Sequence, residues 1–353
     1  MLNEKLMNEI SRIRPLDGTA MEESRLHWDG IAKPLGSLGK LEKAVTQIAG
    51  IQRNANICIE KKALIIMCAD NGVVEEGISQ SGPEVTAAVA ENFYDEKSCV
   101  AIMCRKCGTD LFPIDIGMAT DTPRTEKHKV AYGTRNFAKE PAMTREQAIM
   151  AIETGMEKIR ELKQRGYQII ATGEMGIGNT TTSSAITAVF LGVPAETVTG
   201  RGAGLSTEGL SRKVQVIQKA LKLHHPDPSD PIDVLAKVGG FDIAGLAGVF
   251  LGGAVYGVPV VIDGVISAAA ALTALRIAPG CGAYMMASHV SGEPASSMLL
   301  DALGKSPFLT CDMRLGEGSG AVALFPLLDF ASEIYHKMAS FPDAGFEQYE
   351  HLE

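Results

Sequence analysis

Five short, largely apolar runs recur along the chain, and each leads into a polar turn rich in glycine, aspartate or serine. A strand whose apolar residues are continuous rather than alternating is buried on both faces, which is typical of a parallel sheet between layers of helices. Helical segments separate the runs, as parallel connections require. The sequence therefore predicts an α/β fold with a mostly parallel sheet covered by helices on both faces. The predicted strands are 63–68, 111–116, 168–171, 260–262 and 284–287.

Residues 243–262 form an uncharged stretch that is long enough to cross a bilayer. It contains five glycines and Pro259, and the residues on either side are Asp242 and Asp263 rather than lysine or arginine. Because positively charged flanks orient membrane-spanning helices, this pattern argues against a span. We interpret it as a buried helix that ends at Tyr256, followed by a buried strand, and we expect no membrane partner.

The charge balance and the cysteine pattern limit the partners of the chain. Its 353 residues include 33 Lys and Arg against 42 Asp and Glu, a net charge of −9, and one tryptophan, which argues against nucleic-acid binding. The seven cysteines are an odd number and the sequence begins without a signal-peptide pattern, so we expect reduced thiols in a cytoplasmic protein. Cys104 and Cys107 form a single C-x-x-C, which lacks the second pair of a structural zinc site and favours packing within a helix. We expect no metal site.

Both ends of the chain have the apolar spacing of amphipathic helices, whereas the strand-and-turn pattern lies between them. The sequence predicts a small helical subdomain made by residues 1–58 together with residues 326–353. The predicted large α/β domain, which would carry the functional site, spans residues 59–325.

In parallel sheets of this kind, ligands bind at the carboxyl ends of the strands, so the turns after the predicted strands are the candidate site. The turn at 173–180 is rich in glycine and leads into a run of hydroxyl residues and an apolar helix, a pattern that suits a phosphate at a helix N-terminus. Its spacing mimics that of a triphosphate-binding loop, but Asn179 stands where that loop has lysine. The pattern favours a monophosphate over an ATPase. A helix cap without a ligand is the alternative.

Two further segments place charged side chains among glycines. Residues 200–204 include three glycines and an arginine, and Lys213 follows on a predicted helix, so either cation could meet an anionic group; a solvated turn and a surface lysine are the alternative. Glu317 lies between glycines just before an apolar helix, which suits a general base, although a glutamate stabilised by the helix dipole has the same pattern. Asp263 and residues 291–293 follow predicted strands and are candidate ribose and phosphate contacts.

Nine ordered segments make the chain resemble one enzyme family over nearly its whole length. They are KPLGSLGKLE at 33–42, CADNG at 68–72, EG at 76–77, PAM at 141–143, GEMGIGNTT at 173–181, VGGFDI at 238–243, DG at 263–264, SH at 288–289 and RLGEGSG at 314–320. On these segments the chain is similar to the nicotinate-nucleotide–dimethylbenzimidazole phosphoribosyltransferases. The resemblance implies a Rossmann-like α/β fold with a small helical domain, a homodimer, and no metal or organic cofactor.

The resemblance also implies a reaction. Nicotinate mononucleotide and an aromatic base would give an α-ribotide, such as α-ribazole 5′-phosphate, and nicotinate, during assembly of the cobamide (vitamin B12) nucleotide loop. The pyridinium is already a good leaving group, so what remains is to position the base on the opposite face of the ribose and to remove its proton. Such back-side attack would convert the β-nucleotide into an α-product.

Roles for individual residues follow from the same resemblance. The position that matches the family's general base is Glu317. The positions that match nucleotide-binding residues are Glu174, Gly176, Gly178, Asn179, Thr180, Thr181, Gly202, Gly204, Lys213, Asp263, Ser291 and Gly292. The positions that match the acceptor-base pocket are Ser79, Gln80, Ser81, Ala88, Met175 and Leu315.

The sequence departs from the family near the base pocket. Family members commonly carry a glutamine two or three residues after the position of Thr86, where this chain has Ala88 and Val89. Asn71 stands in place of a histidine and Glu140 in place of a glycine. Loss of a polar partner redirects the choice of substrate, so the acceptor could be another benzimidazole, a purine, or a phenol that attacks through oxygen.

Two other functions stay open at this point. The chain could be a non-catalytic or partner subunit of a heteromeric phosphoribosyltransferase, in which case it would pair with a paralogue. It could also be a nucleotide-hydrolysing enzyme, which the asparagine at position 179 disfavours.

Overall fold

The structure, a computed structural model, describes residues 3–351. Within them the strands are β1 (Lys62–Ala69), β2 (Thr109–Gly117), β3 (Glu126–Lys127), β4 (Ile169–Met175), β5 (Val260–Ile262), β6 (Met285–Ala287), β7 (His289–Val290) and β8 (Leu309–Thr310). The first six form one sheet in the order β3-β2-β1-β4-β5-β6, in which every pairing is parallel. The last two form a small parallel sheet of their own. The order of the large sheet is that of a Rossmann fold, so the predicted fold class is confirmed.

The helices between the strands cover both faces of this sheet. They are α1 (Glu4–Ile10), α2 (Gly18–Gly30), α3 (Lys40–Gln52), α4 (Glu84–Asn92), α5 (Cys99–Lys106), α6 (Arg145–Gln164), α7 (Asn179–Leu191), α8 (Ala195–Val198), α9 (Thr207–His224), α10 (Pro231–Val238), α11 (Phe241–Tyr256), α12 (Val265–Ile277), α13 (Ser296–Ala302), α14 (Ser319–Lys337) and α15 (Phe341–Ala344). Three short 3₁₀ segments lie at Gly72–Glu76, Phe93–Asp95 and Pro279–Tyr284.

Strand β1 shows why a continuous apolar run is needed at the centre of the sheet. Ile65 and Met67 face one buried cluster, which α6, α11 and α12 complete. Leu64 and Ile66 face the opposite cluster, which α3, α5 and α14 complete. Successive side chains of a strand point to opposite faces. Since helices cover both faces here, every position of β1 is buried.

The uncharged stretch 243–262 is a buried helix and a buried strand, as predicted. Helix α11 ends at Tyr256, Gly257 follows in the left-handed conformation that stops it, and β5 lies in the sheet. In residues 3–351, the length and apolar content needed to cross a membrane are not found together in any helix. The helix packs closely on α6, since a Cβ at Gly248 would lie 2.0 Å from the carbonyl oxygen of Ile152.

Helices from the two ends of the chain pack on each other and on the sheet. The rings of Trp28 in α2 and Tyr335 in α14 meet edge to face, with centroids 5.0 Å apart. The Tyr335 hydroxyl donates to the carbonyl oxygen of Ala55 at 2.9 Å. Residues 1–2 and 352–353 of the predicted helical subdomain lie outside the described residues, and its separation from residues 59–325 stays a prediction.

Two local predictions need adjustment. The strand predicted to end at residue 171 continues to Met175, because Glu174 and Met175 pair with Met67 and Cys68 of β1 instead of joining the turn.

All seven cysteines are free thiols. Cys104 is buried on α5 as predicted, whereas Cys107 lies just beyond the last residue of that helix.

Candidate functional site

A cavity of about 250 Å³ lies at the carboxyl ends of β4 and β5. The strand order of the sheet reverses between β1 and β4, which is where Rossmann folds bind ligands. Most of the predicted site residues line this cavity. They are Ser79, Gln80, Glu174, Met175, Gly176, Gly178, Asn179, Thr180, Gly202, Asp263, Ser291, Leu315 and Glu317.

Several predicted residues lie near the cavity without lining it. Thr181 is buried in the first turn of α7, one residue beyond the cavity wall. The carbonyl oxygen of Gly204 accepts a hydrogen bond from Gln80, which does line the wall. Gly292 lies next to Ser291, and its amide donates to the carbonyl oxygen of Met313 at 3.0 Å.

The structure does not place Ala88 or Ser81 on the cavity wall. On α4 the Thr86 hydroxyl accepts from the Ile177 amide at 3.2 Å, so that face of the helix meets the glycine turn. Ala88, two residues further on, points about 200° away around the helix and is exposed. Ala88 therefore gives no sign of an altered acceptor pocket in this cavity, because its side chain does not line the wall.

The shape of the turn after β4 depends on two glycines. Gly178 has φ 95° at the start of α7, a conformation that favours glycine. A Cβ at Gly176 would lie 2.4 Å from the carbonyl oxygen of Ala69, so this position also requires glycine. The backbone of the turn consequently runs directly along the cavity wall, where α7 begins, and a helix N-terminus suits an anion.

Asn179 joins two buried carboxyl groups beneath this turn. Its side-chain amide donates to Glu174 and also to Asp242, the latter at 2.9 Å. Burial raises the pKa of Glu174 well above its usual range and raises that of Asp242 to about 6. The asparagine is therefore a structural link between carboxyl groups, and the triphosphate-loop lysine has no counterpart at this position.

Lys213 supplies in space the positive charge that the turn lacks in sequence. The side chain is 1% exposed, which excludes the surface lysine considered above. Its Nζ donates to the Thr180 hydroxyl at 2.7 Å and to the carbonyl oxygen of Gly200 at 3.2 Å. Burial lowers the pKa of Lys213 to about 8, and the nearby charge of Glu293 opposes that shift. A cation held behind the first turn of α7 suits one phosphate group at the turn.

The arginine of the 200–204 turn has a different place. Arg201 lines the cavity at its exposed edge. Its guanidinium donates to the carbonyl oxygen of Leu205 at 2.7 Å and to the Thr207 hydroxyl at 3.2 Å, which stabilises the turn before α9.

Glu317 lies in an unusual backbone conformation on the cavity wall. Its φ is 60°, between Gly316 at 89° and Gly318 at 90°. One carboxylate oxygen, Oε2, is buried without a hydrogen-bond partner among residues 3–351. Burial raises the pKa of Glu317, the Val100 amide at the start of α5 lowers it, and the charge of Asp263 raises it further. A carboxylate with a free, partly desolvated oxygen suits the acceptance of a proton.

Arg314 and Asp242 are site residues that the sequence reasoning missed. Arg314 lines the cavity three residues before Glu317, in the RLGEGSG segment, and is exposed at its rim. Asp242 supports the glycine turn from below through Asn179. Both lie in segments singled out above, but spacing alone does not show that Arg314 lines the cavity or that Asp242 lies beneath its glycine turn. Within the described part of the chain, no group of three or more His, Cys, Asp or Glu side chains is arranged to hold a metal ion.

Comparison with known proteins gives consistent results along the whole chain. A family model described as phosphoribosyltransferase matches residues 13–346. A nicotinate-nucleotide–dimethylbenzimidazole phosphoribosyltransferase of Ruminiclostridium cellulolyticum is 48% identical over 346 residues, which cover 98% of each chain. The protein of the same name from Acetivibrio thermocellus is 47% identical and covers 98% of this chain and 99% of its own.

Solved structures give the same relationship. The crystal structure of CobT from Thermus thermophilus superposes with a TM-score of 0.89 at 39% identity. The superposition covers 94% of this chain and 100% of that one.

Proposed function

The chain belongs to the nicotinate-nucleotide–dimethylbenzimidazole phosphoribosyltransferase family, and we propose that it transfers the phosphoribosyl group of nicotinate mononucleotide to an aromatic base. The products would be an α-ribotide and nicotinate, for the assembly of the cobamide nucleotide loop. The observation that carries this proposal is one cavity that combines a glycine turn backed by Lys213 with the free carboxylate oxygen of Glu317.

The glycine turn and Lys213 would hold the phosphate of the nucleotide. A monophosphate needs few cations, and the Thr180 hydroxyl, the positive end of the α7 dipole and one buried ammonium group suit it. Ser291 and the turn at Gly202 lie on the same wall and would complete the nucleotide site. Thr181, Gly204 and Gly292 would contribute through their neighbours, since none of them lines the cavity.

Glu317 would accept the proton of the attacking base. The bond between ribose C1′ and the nicotinate nitrogen breaks with both electrons going to the pyridinium nitrogen, which becomes neutral. The acceptor attacks C1′ from the opposite face and its proton goes to the carboxylate, so the β-nucleotide gives an α-product. Because the leaving group needs no proton, this chain's main tasks are placement and base assistance.

The acceptor would lie against the side chains of Ser79, Gln80, Met175 and Leu315. This wall combines two apolar side chains with a hydroxyl and an amide, which suits a flat aromatic base that carries one polar edge. A benzimidazole, a purine and a phenol all have this character.

The remaining properties of the family are part of the proposal. We infer a homodimer and a cytoplasmic location, the latter from the seven free cysteines. The alternative of a non-catalytic partner subunit has no support among the matched relatives, which carry the name of the transferase.

One incubation tests the function and identifies the acceptor. The purified protein is mixed with nicotinate mononucleotide and equal amounts of dimethylbenzimidazole, adenine, phenol and p-cresol, and the products are separated and identified by mass spectrometry. A ribotide of one or more acceptors, with release of nicotinate, is the expected result. Nucleotide binding without any product would instead favour the partner subunit, and ATP with magnesium serves as a control in which no turnover is expected.

A further inference from the structure

Asp263 makes an unusual set of contacts at the end of β5. Its side chain is only 4% exposed. Oδ1 accepts hydrogen bonds from the amides of Gly320 at 2.7 Å and Ala321 at 3.1 Å, and Oδ2 accepts one from the amide of Gly318 at 3.1 Å. Three amides at the start of α14 therefore converge on one carboxylate that lies 55 or more residues away in the chain.

We propose that Asp263 is a positioning residue for Glu317, which fixes the turn that presents the Glu317 carboxylate to the cavity. This role rests on the proposed function of Glu317 as the base. It differs from the contact with the nucleotide that the sequence predicted for Asp263, since here the carboxylate acts on the enzyme's own backbone.

The conformation of the turn explains why such an anchor is needed. Glu317 has φ 60°, in the left-handed region, where residues other than glycine, asparagine and aspartate are disfavoured. Such a residue keeps its conformation only where its surroundings hold it. Asp263 binds the amide of Gly318, the residue that directly follows Glu317, and two more amides further along, in the first turn of α14.

Strand β4 supports the other side of the turn. A Cβ at Gly173 would lie 2.5 Å from the carbonyl oxygen of Glu317, so the two backbones are in direct contact. The turn is thus held between β4 and the end of β5, the two strands whose carboxyl ends form the cavity. The free Oε2 of Glu317 does not contribute to this anchoring, because it has no partner among residues 3–351.

The same contacts limit any role of Asp263 in substrate binding. A carboxylate oxygen accepts about two hydrogen bonds. Oδ1 already accepts two and Oδ2 one, which leaves room for one further donor at most. Loss of the carboxylate should therefore disturb the placement of the base more than the affinity for the nucleotide.

The decisive experiment compares Asp263→Asn, Glu317→Gln and the double variant by steady-state kinetics. In Asp263→Asn one amide NH₂ would face backbone N–H groups, so the turn loses part of its anchor. We expect kcat to fall about 10- to 100-fold, as a displaced catalytic group produces. The KM for nicotinate mononucleotide should stay within about twofold of wild type. The double variant should be no slower than Glu317→Gln alone, because Asp263 acts through the residue already removed.

The pH profile reports whether the charge of Asp263 acts on Glu317, which a loss of stability alone would not show. The other charged or titratable groups that line the cavity with Glu317 are Glu174 on β4, Asp263 just after β5, His289 on β7, Arg201, Glu293 and Arg314. Asp263→Asn removes a neighbouring negative charge, which lowers the pKa of Glu317, so the acidic limb of the kcat profile should move to lower pH.

Two further variants separate positioning from general damage. Asp115 is also a carboxylate near the carboxyl end of a strand, 1% exposed, and it accepts from the Met118 amide at 2.9 Å away from the cavity. Asp115→Asn should lower thermal stability while kcat stays near wild type. Gly320→Ala disturbs the anchor from the other side, because the new Cβ would lie 2.9 Å from Asp263 Oδ1 and 2.0 Å from His289 Nδ1. It should lower kcat in the same way.

The values of kcat and KM distinguish the positioning role from a nucleotide contact. A raised KM with unchanged kcat in Asp263→Asn would make it a nucleotide contact and overturn the positioning role. Losses that multiply in the double variant would do the same. If Asp263→Asn does not fold, the kcat and KM of Gly320→Ala decide the question by the same criteria. Absence of any ribotide from the wild-type enzyme would instead be a failure of the proposed function, and is seen before any variant is measured.

Discussion

Glu317 and Lys213 are buried ionisable side chains whose surroundings shift their pKa values in opposite directions. Burial disfavours the charged form of each, so it raises the pKa of the glutamate and lowers that of the lysine. The Glu317 carboxylate therefore becomes more basic, which suits proton transfer. The Lys213 ammonium group loses its proton near pH 8. Both shifts lead to measurable behaviour.

Replacement of Glu317 by glutamine should lower kcat by about 10² to 10⁴, the usual contribution of a general base. The KM for nicotinate mononucleotide should change little, because the carboxylate acts on the acceptor. In the wild-type enzyme kcat should fall as the pH drops through a value above that of an ordinary glutamate, since protonation removes the base. A folded Glu317→Gln enzyme that keeps more than about a tenth of wild-type kcat would exclude the residue from this role.

Nucleotide affinity should depend on the charge of Lys213. The group is charged below its pKa of about 8 and loses its proton above it, so binding of nicotinate mononucleotide should weaken as the pH rises past 8. Isothermal titration calorimetry over a pH series measures this directly. Lys213→Met should weaken binding about 10- to 100-fold, the value of a charged hydrogen bond, and should abolish this pH dependence.

Lys219 provides the matched control for that measurement. It lies on the same helix, α9, but is exposed, so Lys219→Met should bind the nucleotide like wild type. Equal losses in the two variants would mean that the net charge of the helix, and not the ammonium group behind Thr180, determines affinity.

Helices α6 and α11 approach each other closely because glycines lie at their contact. A Cβ at Gly155 would lie 2.0 Å from the carbonyl oxygen of Gly245, and the same separation holds for Gly248 and the carbonyl oxygen of Ile152. Since the neighbouring atoms are backbone, no side-chain rotation can relieve the overlap. This contact brings α11 against the sheet and places Asp242, in its first turn, under the glycine turn of the site.

Gly248→Ala should therefore destabilise the protein by about 1–3 kcal/mol, the usual range for overpacking, although alanine favours helices. Chemical denaturation with urea measures the difference. Gly30→Ala is the control, because no atom lies within 4 Å of a Cβ at that helical position, and it should leave stability unchanged or raise it by up to about 1 kcal/mol. Equal effects of the two substitutions would show that helix propensity, and not contact between α6 and α11, dominates.

Features that depend on neighbouring residues can be predicted from the sequence, whereas contacts between residues far apart in the chain cannot. Strands and turns depend on local patterns, so the sequence predicts the parallel sheet and the glycine turn after β4. The link between Lys213 and Thr180 joins residues 33 positions apart, and the link between Asp263 and Gly318 joins residues 55 apart. Only the packed fold shows such contacts. Ala88 matches the base pocket by family position, but its side chain is exposed and points away from the cavity on α4.

At the scale of the whole molecule, the central sheet joins the two predicted domains. Trp28 and Leu328, from the two parts of the predicted helical subdomain, belong to the same buried cluster as Leu64 and Ile66 of β1. We therefore expect one cooperative thermal unfolding transition by differential scanning calorimetry, since elements that share a core unfold together. Two separated transitions would instead show that residues 1–58 and 326–353 form an independently stable unit.

The proposed attack on the face of the ribose opposite to the leaving nicotinate fixes the configuration of the product. The most direct test is to make the ribotide of the preferred acceptor with the wild-type enzyme and to determine its anomeric configuration by NMR. Inversion requires the α-anomer from the β-configured nicotinate mononucleotide, and that is the predicted result. A β-ribotide, or release of nicotinate with ribose 5-phosphate in place of any ribotide, would contradict direct transfer with Glu317 as the base.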